Sequence, residues 1–178
     1  MANKKMWLGM LALVLAFGLT LAGCDTGNGD NGGGLDPRLV GTWVTGDAEL
    51  ALRANNTYEV TIYFFGTRIP MERGGFTIEG NNFTMTTTDV HGDSLNIEMG
   101  MGIGPDGIFD SRWYSRAQYR EAALVIGPEL GYTGADLEEV IEEGIANMFF
   151  TNTGTFSIVG DALTLTGPNF GYMTFTRQ

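Results

Sequence analysis

Two stretches of the chain share one alternation of apolar and polar positions and lie 80 residues apart. Residues 76–86 read FTIEGNNFTMT, and residues 156–166 read FSIVGDALTLT. Each stretch contains a period-two segment, a turn with glycine and a second period-two segment, which together are typical of a β-hairpin. The repeat therefore predicts two hairpins of the same kind, built from strands with one apolar face.

Period-two alternation also predicts strands outside the repeat. Pro70 and Gly74-Gly75 interrupt the segment before the first copy, which suits an edge strand or a β-bulge. The other predicted strands are residues 39–44, 49–53, 57–65, 94–101 and 171–177.

The pattern changes to helical spacing within residues 113–149. Residues 115–118 fit a capping box, Gly127-Pro128 ends the first helix, and residues 133–136 resemble a second capping box. The predicted apolar stripe of the second helix is Leu137, Val140, Ile141, Ile145 and Met148. Its solvated face carries Glu138, Glu139, Glu142 and Glu143.

These elements predict a mainly β protein, an antiparallel up-and-down β-barrel of about eight to ten strands with an inserted pair of helices. A two-sheet β-sandwich is the alternative. A barrel of this size is either filled by side chains or holds one small ligand, and the sequence leaves both open. The residues predicted to line the interior and contact such a ligand are Phe76, Ile78, Phe83, Met85, Phe156, Ile158, Leu163 and Leu165.

The N-terminus has the parts of an export signal. Lys4 and Lys5 precede an apolar run, which ends in Leu-Ala-Gly-Cys at Cys24. This ending resembles a bacterial lipobox, and the resemblance implies acylation of Cys24 and cleavage before it. An uncleaved membrane helix is the alternative. Residues 1–24 are thus predicted to be a lipoprotein signal peptide, 25–36 a flexible tether and 37–178 one globular domain.

The charge and the cysteine content limit which binding partners and which covalent cross-links are compatible with this chain. After cleavage the chain would carry 8 Arg against 21 acidic residues, a net charge of −13. Such a surface repels nucleic acid and anionic headgroups, so membrane association is expected from the acyl chains in the cell envelope. Cys24 is the only cysteine, which excludes a disulfide framework.

A known pattern begins at Gly41-Thr42-Trp43. This G-x-W on the first strand, followed by L-x-L-x-x-N-x-T-Y and F-x-I-x-G-x-x-F-T, resembles the lipocalin-like domains of bacterial lipoproteins. The resemblance implies a calycin-type barrel in which Trp43 closes the floor and a late arginine packs across its ring. Arg177 is the only Arg after the helical segment, so it is the candidate for that structural role.

Few residues of the sequence are candidates for catalysis or metal binding. Residues 89–93 read DVHGD and contain the only His, but a polar turn with a surface His is the favoured interpretation over a metal site. We expect no catalytic residue, no metal, no cofactor and no enzymatic activity. The predicted function is a lipid-anchored envelope lipoprotein that binds a small apolar or amphipathic ligand. The alternative is a filled barrel that binds another, unidentified protein.

Overall fold

The computed structural model of the protein describes residues 35–104, 107–168 and 171–178. The signal segment, Cys24 and most of the tether lie outside the described residues. Leu35 and Asp36 are described; Leu35 packs against the barrel core, and Asp36 pairs with Arg38.

The described residues form nine strands and three helices. The first strands are β1 Gly41–Thr45, β2 Ala48–Leu52, β3 Thr57–Phe64, β4 Thr67–Glu79 and β5 Asn82–His91. A helical insertion follows, with α1 Gly92–Glu98, β6 Trp113–Ser115, α2 Arg116–Ile126 and α3 Gly134–Met148. The last strands are β7 Thr151–Val159, β8 Ala162–Gly167 and β9 Gly171–Arg177.

Eight of these nine described strands form a closed antiparallel barrel. The order runs β4-β3-β2-β1-β9-β8-β7-β5, and a β4–β5 pairing closes the ring. The predicted barrel is therefore confirmed, and the two-sheet alternative is wrong. Closure pairs the backbone of both would-be edge strands, which removes the exposed edges of an open sheet.

The two copies of the repeat are the β4–β5 and β7–β8 hairpins, and they lie side by side because β5 pairs with β7 over residues 82–86. Each hairpin turns through two residues that begin with a glycine at positive φ, +60° at Gly80 and +58° at Gly160. A glycine in the first central position suits the type II′ turn, whose twist matches that of the strands.

The helical insertion begins earlier than predicted, at residue 92, and contains a third helix. Alternating apolar residues predict a strand over residues 94–101, but α1 covers residues 92–98, so that prediction is wrong. Leu95 and Met99 are four residues apart, so the helix places both on one face against the insertion's own core. Packing of that pair outweighs the local period-two pattern.

The two predicted helices agree with the structure in most respects. Ser115 and Gln118 form a complete capping box at the start of α2, and Gly127 caps its end. Thr133 is the N-cap of α3 but makes no side-chain capping bond, so the second predicted capping box is wrong. Val140 is 38% exposed and lies outside the buried stripe, which Ile141 and Ile145 anchor.

Candidate functional site

The barrel interior is lined by the residues that the alternation predicted. Phe76, Phe83, Leu163 and Leu165 are buried, and the other four predicted interior residues pack against them in one apolar cluster. The cluster also contains Trp43, Leu50 and Phe175. None of the eight lines the cavity at the barrel mouth or the groove on its outer face. Their role as ligand contacts therefore stays a prediction.

The end of the barrel where β1 begins and β9 ends carries a contact between Trp43 and Arg177. The Arg177 guanidinium lies 4.3 Å from the centroid of the indole ring, and the two residues are directly opposite each other on β1 and β9. Arg177 also donates hydrogen bonds to the carbonyls of Val40 and Arg38. The indole Nε1 donates to the carbonyl of Leu39 at 2.8 Å. The predicted contact is present, and it is structural.

The opposite end of the barrel carries the helical insertion, because β5 ends and β7 begins there. A cavity of about 170 Å³, the mouth cavity, lies between the barrel wall and helices α1 and α3. Most of its lining is apolar. The lining residues are Val60, Ile62, Met71, Glu72, Val90, Ser94, Glu98, Asn147, Met148 and Phe150.

A β-bulge places two consecutive residues of β4 at this cavity. Val60 pairs with Glu72 and Thr61 pairs with Pro70, so Met71 is the extra residue. Proline has no N–H to donate, which makes it compatible with an interrupted ladder. A bulge turns side chains away from simple alternation, and here Met71 and Glu72 both line the mouth cavity.

Glu72 is held by hydroxyl groups. Thr87 Oγ1 donates to one carboxylate oxygen at 3.3 Å, and the Tyr58 hydroxyl lies 3.5 Å from the other. Tyr58 and Thr87 are themselves hydrogen-bonded at 2.8 Å. Burial raises the pKa of Glu72 to about 7, although both hydroxyls oppose the shift. Burial and the Glu72 charge together raise the pKa of Tyr58.

Glu98 lies at the rim of the same cavity, on the last turn of α1. Its side chain keeps contact with solvent, yet the surrounding protein is sufficient to raise its pKa by desolvation. The charge of Glu98 in turn contributes to the raised pKa of Glu72. Within the described part of the chain, no Arg, Lys or His lines this cavity, so both carboxyl groups face it without a basic partner.

Helix α1 is fixed by polar contacts that position Glu98. Asn96 is fully buried and makes two hydrogen bonds with the backbone of Phe109, at 2.8 and 2.9 Å. Ser94 donates to the carbonyl of His91 at 2.7 Å. Asp93 accepts from Ser111 Oγ at 2.6 Å and from the amide of Gly104 at 3.1 Å. The bonds of Asn96 and Asp93 attach the helix to the loop that follows it, and that of Ser94 attaches it to the end of β5.

The sequence motif Asp89-Val90-His91-Gly92-Asp93 does not form the predicted polar turn with a surface histidine. His91 ends β5, is only 8% exposed and packs edge-on against Trp113 at 5.1 Å. Burial lowers its pKa. Asp89 pairs with Arg73 at 3.4 Å, whereas Asp93 contacts the α1 loop. No His, Cys, Asp or Glu group among the described residues has the arrangement of a metal site.

The other acidic groups have local roles. Glu138, Glu139, Glu142 and Glu143 are exposed, as predicted, and Arg120 pairs with Glu138 and Glu142. An open outer groove of about 560 Å³ runs along β3, β4 and β5, but its charged residues pair with each other as Arg53–Glu59 and Arg73–Asp89. Mutually paired surface charges leave little for a ligand to bind.

The fold is thus a closed antiparallel barrel with a helical insertion at one end, and the mouth cavity lies between the two. No known family model matches the chain, and no curated protein matches it. Among the described residues, no helix is both long enough and apolar enough to span a membrane. The lipocalin-like resemblance therefore stays a prediction.

Proposed function

We propose that this protein is a lipid-anchored lipoprotein of the bacterial cell envelope whose barrel binds one small amphipathic ligand in the mouth cavity. The observation that carries the proposal is Glu72, a largely buried carboxyl group that faces a mostly apolar cavity with no basic residue in its described lining. Desolvating a carboxylate without a counter-charge is unfavourable, and perturbed groups of this kind concentrate at functional sites.

The size of the cavity limits the ligand. A protein cavity of about 150 Å³ accommodates benzene, and the mouth cavity measures about 170 Å³. The ligand, or the part of it that enters, is therefore about the size of a substituted benzene ring. Val60, Ile62 and Met148 would contact its apolar part. The packed interior below would act as a rigid support, which lowers the entropic cost of binding.

A cavity-filling variant tests the ligand site. Val60→Phe adds a ring to the cavity wall and should abolish binding of small aromatic probes, measured by isothermal titration calorimetry on the full chain. Val159→Phe makes the same change at a position that is 77% exposed, and it should bind like the wild type. If benzyl alcohol, benzylamine and benzoate all fail to bind the wild type, the ligand-binding proposal is wrong.

The anchor rests on the lipobox-like residues that end at Cys24. Two or more acyl chains give stable membrane attachment where one chain gives marginal attachment. Cys24→Ala should abolish metabolic labelling with a fatty-acid analogue and release the protein from the membrane fraction. Cys24 is the only cysteine of the chain, so residual labelling of the variant would contradict the proposed site of acylation.

A second candidate function is binding to another protein through the helical insertion. Four apolar side chains are exposed on α2 and the segment after it: Val125 at 69%, and Leu124, Leu130 and Tyr132 at about 40% each. Exposed apolar residues that are grouped on one element favour an interaction surface. A photo-crosslinker at Val125, but not one at the exposed Glu143, should then give a defined product in cells. Equal products at both positions would reject this candidate.

A further inference from the structure

Most polar positions of the mouth cavity are hydrogen-bond acceptors, and Asn147, an exposed residue of α3, adds an amide that can also donate. Glu72 and Glu98 present carboxyl groups. The Ser94 hydroxyl, which also lines the cavity, already donates to the carbonyl of His91 at 2.7 Å and lies 3.2 Å from that of Met71. The Thr87 hydroxyl donates to Glu72. Apart from the Asn147 amide, a ligand therefore meets an apolar wall and groups that are negative or accept hydrogen bonds.

We propose that the mouth cavity selects small amines, with the ammonium group between Glu72 and Glu98 and the apolar body against Val60, Ile62 and Met148. This inference rests on the proposed function, because it names the class of ligand for the same cavity. The geometry is that of a largely apolar pocket lined by two carboxyl groups, that of the half-buried Glu72 on β4 and that of the more exposed Glu98 on α1.

Charge decides between an amine and other amphiphiles of the same shape. A carboxylate ligand would add a third negative charge to two acidic groups in a partly desolvated site, which is unfavourable. An alcohol can donate a single hydrogen bond and supplies no charge. An ammonium group supplies the missing positive charge and three donors, and charge-assisted hydrogen bonds are about twice as strong as neutral ones.

The raised pKa of Glu72 adds a signature that a neutral ligand would lack. The groups that face it are the Tyr58 hydroxyl from β3, the Thr87 hydroxyl from β5 and Glu98 from α1, and Tyr119 of α2 is close enough to Glu98 to be affected by its charge. A bound ammonium stabilises the carboxylate and lowers the pKa of Glu72, so binding releases a proton. Since the pKa of Glu72 in the free protein is about 7, the release should be a substantial fraction of a proton at pH 7 and should be larger at pH 6.

The test compares three ligands of nearly equal size, benzylamine, benzyl alcohol and benzoate. Calorimetry uses the full chain in nanodiscs, with empty nanodiscs as the blank, and two buffers of different ionisation enthalpy. We expect benzylamine to bind at least about tenfold more tightly than benzyl alcohol and benzoate to show no binding. Glu72→Gln should remove the preference and the proton release, whereas Glu98→Gln should weaken benzylamine alone.

Glu79→Gln is the matched control, since it removes one exposed negative charge from the same strand and should bind all three ligands like the wild type. Equal affinity of benzylamine and benzyl alcohol, or benzylamine binding without proton release, would overturn this inference and leave the ligand site standing. Failure of all three ligands would instead reject the proposed function itself.

Discussion

Arg177 lies over the ring of Trp43, with its guanidinium 4.3 Å from the ring centroid. The two residues belong to β1 and β9, so the contact joins the strand that begins the barrel in the chain to the strand that ends it. Gly41 leaves room for it, because a Cβ at residue 41 would lie 2.9 Å from the Arg177 guanidinium. The closure of the barrel therefore includes a side-chain contact as well as the backbone ladder.

Arg177→Ala should destabilise the protein by about 2 kcal/mol, because it removes a cation–π contact and two hydrogen bonds to backbone carbonyls. Chemical denaturation followed by tryptophan fluorescence measures the change. Arg116→Ala removes an exposed arginine at the start of α2 and should change stability by less than about 0.5 kcal/mol. Equal effects of the two variants would show that the contact does not contribute.

The β3–β4 turn carries Phe65 at a φ of +48°, and its side chain is 94% exposed. This left-handed conformation is costly for a bulky residue, whereas Asn adopts it readily. Phe65→Asn should therefore stabilise the protein by about 1 kcal/mol, seen as a rise in the thermal midpoint. Val159→Asn, at an exposed strand end outside the positive-φ region, should give no rise. A lower midpoint for Phe65→Asn would mean that the aromatic pair with Phe64 matters more than the strain.

Much of the barrel is predictable because its strands and turns are determined by residues that are close together in the sequence. Alternation places Phe76 and Phe156 on one face, and the glycines at residues 80 and 160 fix the turns, so the hairpins follow from short segments. The Trp43–Arg177 contact came from a resemblance rather than from the pattern, since the two residues are far apart in the chain.

The candidate site was not predictable in the same way. Glu72 lies between Pro70 and Gly74, in a segment for which the sequence predicts an edge strand or a β-bulge; the structure shows the bulge, but the sequence does not show that Glu72 faces a cavity. Its placement depends on the bulge at Met71 and on α1, both of which arise from pairing with distant residues. The alternation at Leu95, Ile97 and Met99 predicts a strand, and the packing of Leu95 and Met99 in the insertion's core favours the observed helix instead.

Gly74 is required by the close approach of the β5 backbone at Thr86. A Cβ at residue 74 would lie 1.9 Å from the carbonyl oxygen of Thr86 and 3.0 Å from the Tyr58 ring. Gly74→Ala should therefore destabilise the protein by about 3 kcal/mol or more, measured by urea unfolding. At the next residue, Gly75, the nearest atom would be 3.8 Å away, so Gly75→Ala should be tolerated. Similar losses for both variants would indicate a general need for glycine at this bend.

The pH dependence of the free energy of unfolding should show the raised pKa of Glu72 in the folded protein. Its pKa is about 7 in the folded protein and about 4.5 when unfolded, so the folded state binds the proton more tightly. The wild type therefore loses stability as pH rises from about 4.5 to about 7. Glu72→Gln cannot ionise, and it should be more stable than the wild type at pH 8 by up to about 3 kcal/mol.

At pH 4.5 and below, the advantage of Glu72→Gln should shrink, because Glu72 is then mostly protonated in the folded protein. Thermal unfolding by circular dichroism across this range measures the difference, and Glu79→Gln controls for the loss of one negative charge from β4. A constant offset between Glu72→Gln and the wild type at all pH values would mean that Glu72 ionises in the cavity without penalty. The physical reason for assigning a ligand to the mouth cavity would then be lost.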